Sequence, residues 1–186
     1  MTLTIPNLLS LLRMGLVPVF IIAVIDGEIA KALWIFVIAG VTDALDGFIA
    51  RFWGQQSLLG AYLDPIADKL LLTSSYVALS IPSLNRGVEI PLWVTVLVIA
   101  RDVLIVVVAL IMYLAAGVRS FPPSVLSKVT TVFQVAAAVL VLVSGLLPDL
   151  DVVASTVLYV MTGLTVLSGL DYVRRSNRLV EPKPKP

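Results

Sequence analysis

The sequence "DALDGFIARFWGQQSLLGAYLDPIADK" places four aspartates, Asp43, Asp46, Asp64 and Asp68, within one stretch bounded by long apolar runs. Asp43 and Asp46 are three residues apart, and Asp64 and Asp68 are four apart. On a helix either spacing puts both carboxylates on one face. A single ionised Asp at the centre of a bilayer costs about 2.5–3.5 kcal/mol on the most lenient scale, and like charges add to that cost. The set must therefore be neutralised. Three routes are open: protonation, as in a proton relay; pairing with Arg51 and Lys69, which covers two charges of four; or divalent cations. Mg²⁺ and Mn²⁺ suit hard carboxylate oxygens and keep positions open for phosphate. Gly47, Ala50 and Arg51 follow the first pair. Small residues and then a guanidinium suit a pyrophosphate. Gly60 joins Asp64 and Asp68 in an i, i+4, i+8 stripe. A bland set of solvated helix-end carboxylates would give no reason for this register.

The elements that must position these residues follow from composition. Of 186 residues 59% are hydrophobic and 13% charged, so polar surface is too scarce to cover a soluble domain. The expected fold is an all-α integral membrane protein with six transmembrane helices. Apolar runs of about 20 residues occur at residues 6–25, 30–51, 58–81, 91–116, 124–146 and 152–172. The breaks "DGE", "GQQS", "PSLNRG", "GVRSFPPS" and "LPDLD" separate them, with Pro91, Pro122 and Pro123 at helix boundaries. The short loop after Arg51 makes the second and third helices expected antiparallel neighbours, their carboxylate pairs facing across the helix pair. Residues 1–173 form one catalytic domain in this reading, and 174–186 a basic, disordered Pro/Lys tail. No internal repeat is visible, which disfavours a transporter.

Charge placement gives an orientation. Six spans put both termini on one side, with Arg174, Arg175, Arg178, Lys183 and Lys185 opposed in the tail by Glu181 alone. The opposite loops hold Asp26, Glu28, Lys31, Arg86, Glu89, Asp149 and Asp151. The positive-inside rule then puts both termini and the aspartates at the cytoplasmic face. The N-terminus lacks a basic n-region and a cleavage site, and is expected to be mature protein. The chain has no Cys and no His, so metal ligands must be oxygen and a proton acceptor must be a carboxylate, Lys, Tyr or water. Nothing points to nucleic acid.

The spacing Asp43-x2-Asp46-Gly47-x2-Ala50-Arg51-x8-Gly60-x3-Asp64-x3-Asp68 resembles, at every motif position, the signature of the CDP-alcohol phosphatidyltransferases. "TIPNLLSLLR" resembles that family's opening. The resemblance implies a six-helix membrane bundle in which an acceptor hydroxyl attacks the β-phosphate of a CDP-linked lipid and CMP leaves. It implies two divalent cations, Mg²⁺ or Mn²⁺. Asp43 and Asp64 would bridge both, Asp46 would bind the first and Asp68 the second, with Asp68 also the general base. Gly47, Ala50, Arg51, Ser57 and Gly60 would hold the CDP-lipid, and Asn7 and Ser10 would close the nucleotide pocket. The partners implied are CDP-diacylglycerol, a glycerol-type acceptor, the lipid bilayer and a second copy in a homodimer. The membrane expected is a bacterial inner (plasma) membrane.

Two branches of the family differ in acceptor, phosphatidylglycerol or glycerol 3-phosphate. "LDGFIARFW", "AYLDPIADK", "ARDVLI" and "SKVTTVFQ" resemble the branch that uses phosphatidylglycerol and makes cardiolipin. Arg101, Lys128 and Arg119 are the candidate acceptor-binding cations. Competing readings are an intrahelical Arg101–Asp102 pair and a snorkelling Lys128.

Overall fold

The computed structural model describes residues 4–52, 58–81, 89–116 and 124–180. The described chain is helical, with α1 at Ile5–Ile25, α2 at Ile29–Phe52, α3 at Leu58–Leu79, α4 at Leu92–Ala116, α5 at Val125–Ser144 and α6 at Asp151–Val180. A 3₁₀ turn over Pro148–Leu150 leads into α6. Helix starts and stops follow local chemistry. Pro6 sits in the first turn of α1, where its missing N–H is no loss. The turn into α2 uses Gly27 at φ 72°, a conformation that suits a residue without Cβ. Ser124 caps α5, its hydroxyl accepting from Ser127 N at 3.0 Å.

One expected boundary moves. Helix α6 does not end near Tyr172 but runs through Arg174 and Arg175 to Val180, so the tail begins as helix. Arg175 Nε donates back to Asp171, 3.1 Å from its Oδ2, one turn earlier, which supports the added turn. Residues 181–186 lie outside the described part.

Four segments are long and apolar enough to cross a membrane: Pro6–Ile25, Leu92–Met112, Val125–Ser144 and Pro148–Arg175. The expected six spans are thus matched by four on this measure. Among their described residues α2 carries Lys31, Asp43 and Asp46, and α3 carries Asp64, Asp68 and Lys69. These are the helices that hold the acidic motif. Large apolar side chains face outward along the bundle, Val106, Leu114, Val125 and Val152 among them, each more than half exposed. Such a surface fits lipid rather than water.

The packing differs from the expectation in one important way. Among the described residues α2 and α3 barely touch; each packs instead against α1, which lies between them. The second half pairs α5 with α6 and α4 with α6. The seam is filled by Val17, Phe20 and Val24 of α1, Ala32, Phe36 and Ala39 of α2, and Leu72, Tyr76 and Leu79 of α3. The Phe20 and Phe36 rings meet at a centroid distance of 6.0 Å. Ala32 and Ala39 let α1 and α2 approach closely, so α1 wins the position beside α2.

Candidate active site

The first helix determines the site. Asn7, Ser10 and Arg13 recur every three residues on α1, and all three are buried. Arg13 has no exposed surface, yet its guanidinium reaches both neighbouring helices. Its Nη1 lies 2.7 Å from Asp43 Oδ1, and its Nη2 lies 2.6 Å from Asp46 Oδ2 on α2. Nη1 also donates to Asp68 Oδ1 on α3. One turn earlier, the Ser10 hydroxyl shares its proton between Asp64 Oδ1 and the Pro6 carbonyl, the latter at 3.0 Å. All four aspartates therefore converge on α1. The two carboxylate pairs do not face each other directly, as the loop length suggested; the wedge of α1 joins them through Arg13 and Ser10.

The carboxylates differ in access. The Asp46 side chain is 3% exposed, whereas those of Asp43 and Asp68 are 43% and 48% exposed. A cavity of about 130 Å³ adjoins the cluster, lined by Arg13, Asp43 and Asp68 and otherwise largely by apolar residues of α2, α3 and α5. Asp43 and Asp68 are thus open to a ligand, and Asp46 is closed behind them.

A divalent cation fits the donor set. Four carboxylates of hard oxygen, with no Cys or His in the chain to favour softer metals, suit Mg²⁺ or Mn²⁺. The oxygens of three of them, Asp43, Asp46 and Asp68, already converge on a cation, the Arg13 guanidinium. Among the described residues no three acidic side chains are grouped to hold an ion as they stand, and Arg13 lies among Asp43, Asp46 and Asp68.

The remaining expected residues divide. Ser10 lies in the cluster, Asn7 is buried one turn before it on α1, and Gly60 is buried one turn before Asp64 on α3. The side chains of Gly47, Ala50 and Arg51, and all of Ser57 and Arg119, lie outside the described residues. Lys69 does not neutralise the cluster; its Nζ lies 2.5 Å from Asp102 Oδ2 on α4. Arg101 is 5% exposed and turns inward. Its Nη1 lies 2.6 Å from Asp102 Oδ1, and its Nη2 donates to Ser127 Oγ at 2.6 Å and Ser168 Oγ at 2.9 Å. Lys128 is exposed on the first turn of α5. Among the described residues the polar partners of Arg101 are thus Asp102, Ser127 and Ser168 rather than the four aspartates.

Arg13 is the residue that reading the sequence for carboxylates passes over. The available signal was its three-residue register with Asn7 and Ser10, together with a charge inside an apolar helix, which by itself marks a functional position.

The model of one protein family, CDP-alcohol phosphatidyltransferase, matches residues 3–167. The chain belongs to the CDP-alcohol phosphatidyltransferase family. These enzymes are transferases of phospholipid synthesis and generally depend on divalent cations. Among curated relatives, human cardiolipin synthase (CMP-forming) is 47% identical over 104 residues, which is 55% of this chain and 33% of the human protein. A probable phosphatidylglycerophosphate synthase of Mycobacterium tuberculosis is 38% identical over 178 residues, 92% of this chain and 81% of that one. A CDP-diacylglycerol–glycerol-3-phosphate 3-phosphatidyltransferase of Rickettsia felis is 35% identical over 176 residues, 91% and 93% of the two chains. The chain thus spans about a third of the human relative and most of the two bacterial ones. Within the CDP-alcohol phosphatidyltransferases it resembles both acceptor branches.

Proposed function

We propose that this protein transfers a phosphatidyl group from CDP-diacylglycerol to a glycerol-type hydroxyl and releases CMP. The observation that carries the reading is the convergence of Asp43, Asp46, Asp64 and Asp68 from two helices onto one face of α1, beside an open cavity. In this reading the chain crosses a bacterial inner membrane six times, with both termini and the site at the cytoplasmic face.

Asp43, Asp46, Asp64 and Asp68 would hold two divalent cations, which when bound supply charge neutralisation for the attacking and leaving oxygens. The chain's own residues do the rest. Asp68 accepts the proton of the acceptor hydroxyl. The hydroxyl oxygen forms a bond to the β-phosphorus, and the bond from that phosphorus to CMP breaks, with the electron pair leaving on CMP. Asp68 suits the role because it is half-exposed beside the cavity and because the chain offers no His or Cys to replace it. Asp46, closed to solvent, anchors the cluster from behind. Gly47, Ala50, Gly60, Arg51 and Ser57 would hold the CDP portion, and Asn7 and Ser10 would border the nucleotide pocket. Such chemistry needs alignment and charge stabilisation more than covalent catalysis.

We favour phosphatidylglycerol as the acceptor, with cardiolipin as product. A dianionic acceptor calls for several free cations, and among the described residues Arg101 and Lys69 are committed to Asp102. The second reading, glycerol 3-phosphate, is favoured by two relatives that match most of both chains, one named a probable phosphatidylglycerophosphate synthase and the other a CDP-diacylglycerol–glycerol-3-phosphate 3-phosphatidyltransferase. The test is an acceptor panel. Purified protein in lipid receives CDP-diacylglycerol with Mg²⁺ or Mn²⁺ and, separately, phosphatidylglycerol, glycerol 3-phosphate, inositol phosphate and serine. CMP and cardiolipin are expected with phosphatidylglycerol. Product from glycerol 3-phosphate alone overturns the acceptor, and no CMP with any acceptor overturns the activity.

A further inference from the structure

We infer that Arg13 is an exchangeable counter-cation, holding Asp43, Asp46 and Asp68 together until divalent cations take the same oxygens. The inference rests on the reading of the four aspartates as the metal ligands and goes beyond it. Three observations carry it. Both Nη nitrogens of Arg13 are spent on side-chain carboxylates, three of them from two helices. The guanidinium is fully buried, and its Nε has no hydrogen-bond partner among the described residues. No backbone carbonyl therefore pins it among those residues, and its place depends on the carboxylates alone. It also borders the cavity of about 130 Å³ shared with Asp43 and Asp68, so open space lies beside it.

Charge explains why such a residue is needed. Four ionised carboxylates crowded on adjoining helices repel one another, and one guanidinium reduces the excess without cancelling it. Arg13 lets α1, α2 and α3 pack before metal arrives. Two divalent cations match the four negative charges, so the guanidinium is then no longer required among the oxygens. Arg13 and metal compete for Asp43, Asp46 and Asp68. Arg13 is in these terms a positioning residue: it preassembles the ligand set and weakens metal binding in return.

The experiment compares wild type, Arg13→Gln and Arg13→Lys, each purified in phosphatidylglycerol-containing nanodiscs. Mn²⁺ binding is read from the paramagnetic resonance signal of the free ion, and thermal unfolding is followed in EDTA and in excess Mn²⁺. Removing a competitor is expected to tighten Mn²⁺ binding at least tenfold in Arg13→Gln. Its midpoint should fall in EDTA and recover in Mn²⁺, because ligand that binds only the folded state stabilises it. Arg13→Lys, which keeps the charge but loses the fork, should lie between, and it serves if Arg13→Gln cannot be isolated. Unchanged or weaker Mn²⁺ binding in the variants overturns the exchange, as does a loss of stability that Mn²⁺ fails to restore. Wild type that binds no Mn²⁺ overturns the metal reading of the aspartates as well, which separates the two failures.

Discussion

The Arg13 guanidinium and the Asp46 carboxylate form a closed ion pair, 2.6 Å from Nη2 to Oδ2, with side chains 0% and 3% exposed. Asp46, closed behind the cluster, has no solvent to fall back on if Arg13 is lost. The neighbouring pairs to Asp43 and Asp68 differ, since those carboxylates are 43% and 48% exposed.

The first prediction follows from that difference. Asp46→Ala leaves a buried guanidinium short of its closed partner and should destabilise the protein by about 3–5 kcal/mol. Asp43→Ala should cost clearly less, since its carboxylate is 43% exposed and Arg13 keeps Asp46 as its closed partner. Unfolding in detergent with EDTA present measures both. Equal losses would count against the closed pair as the anchor of the cluster.

The second prediction concerns Asp68. If it is the proton acceptor, Asp68→Asn should lower CMP release by about 10²–10⁴-fold, the usual contribution of a general base. Its side chain is near-isosteric, so the fold should survive. Retention of CDP-diacylglycerol, measured by equilibrium binding, is the control. A loss of binding that accounts for the whole loss of rate would remove Asp68 from the base role.

Chelation gives the third. EDTA should abolish CMP release, and Mg²⁺ or Mn²⁺ should restore it. Helix content by circular dichroism should stay unchanged through the cycle, because Arg13 already neutralises part of the cluster. Persisting CMP release in excess chelator would overturn the cation requirement, and helix loss would overturn the stabilising part played by Arg13.

How much of this was legible in the sequence depended on whether the signal was local. Helix positions were legible because apolar runs of span length are punctuated by Pro and Gly, and α1 to α5 fall within two residues of the expected bounds. The end of α6 was not, since past Tyr172 apolar content no longer marks helix and the Asp171–Arg175 pair extends it instead. The aspartates' own spacing revealed that they share helix faces. Their neighbours are not legible there, because a short loop predicts direct packing whereas burial of Phe20, Val24 and Phe36 draws α1 between α2 and α3. Arg13 and Asp46 are separated by 33 residues in sequence, and no local pattern pairs them.

The same contrast underlies the last prediction. Arg101 and Asp102 are adjacent, and their pairing was one of two readings open from the sequence. The partners that decide Arg101's role, Ser127 on α5 and Ser168 on α6, come from elsewhere in the chain. Arg101 thus ties α4 to both helices from inside the bundle, and through Asp102 it also meets Lys69 of α3. A side chain spent in this way is expected to act as a structural clamp rather than to grip an acceptor phosphate. A double-mutant cycle of Arg101→Gln and Ser168→Ala should therefore show a coupling of about 1 kcal/mol in stability, the scale of interhelical hydrogen bonds between membrane helices. The KM for the acceptor in Ser168→Ala should stay within about twofold of wild type, a change worth well under 1 kcal/mol. Arg101 binding the acceptor directly would give the reverse: no stability coupling to Ser168, and a KM for Arg101→Lys raised tenfold or more, since Lys cannot reproduce the planar fork.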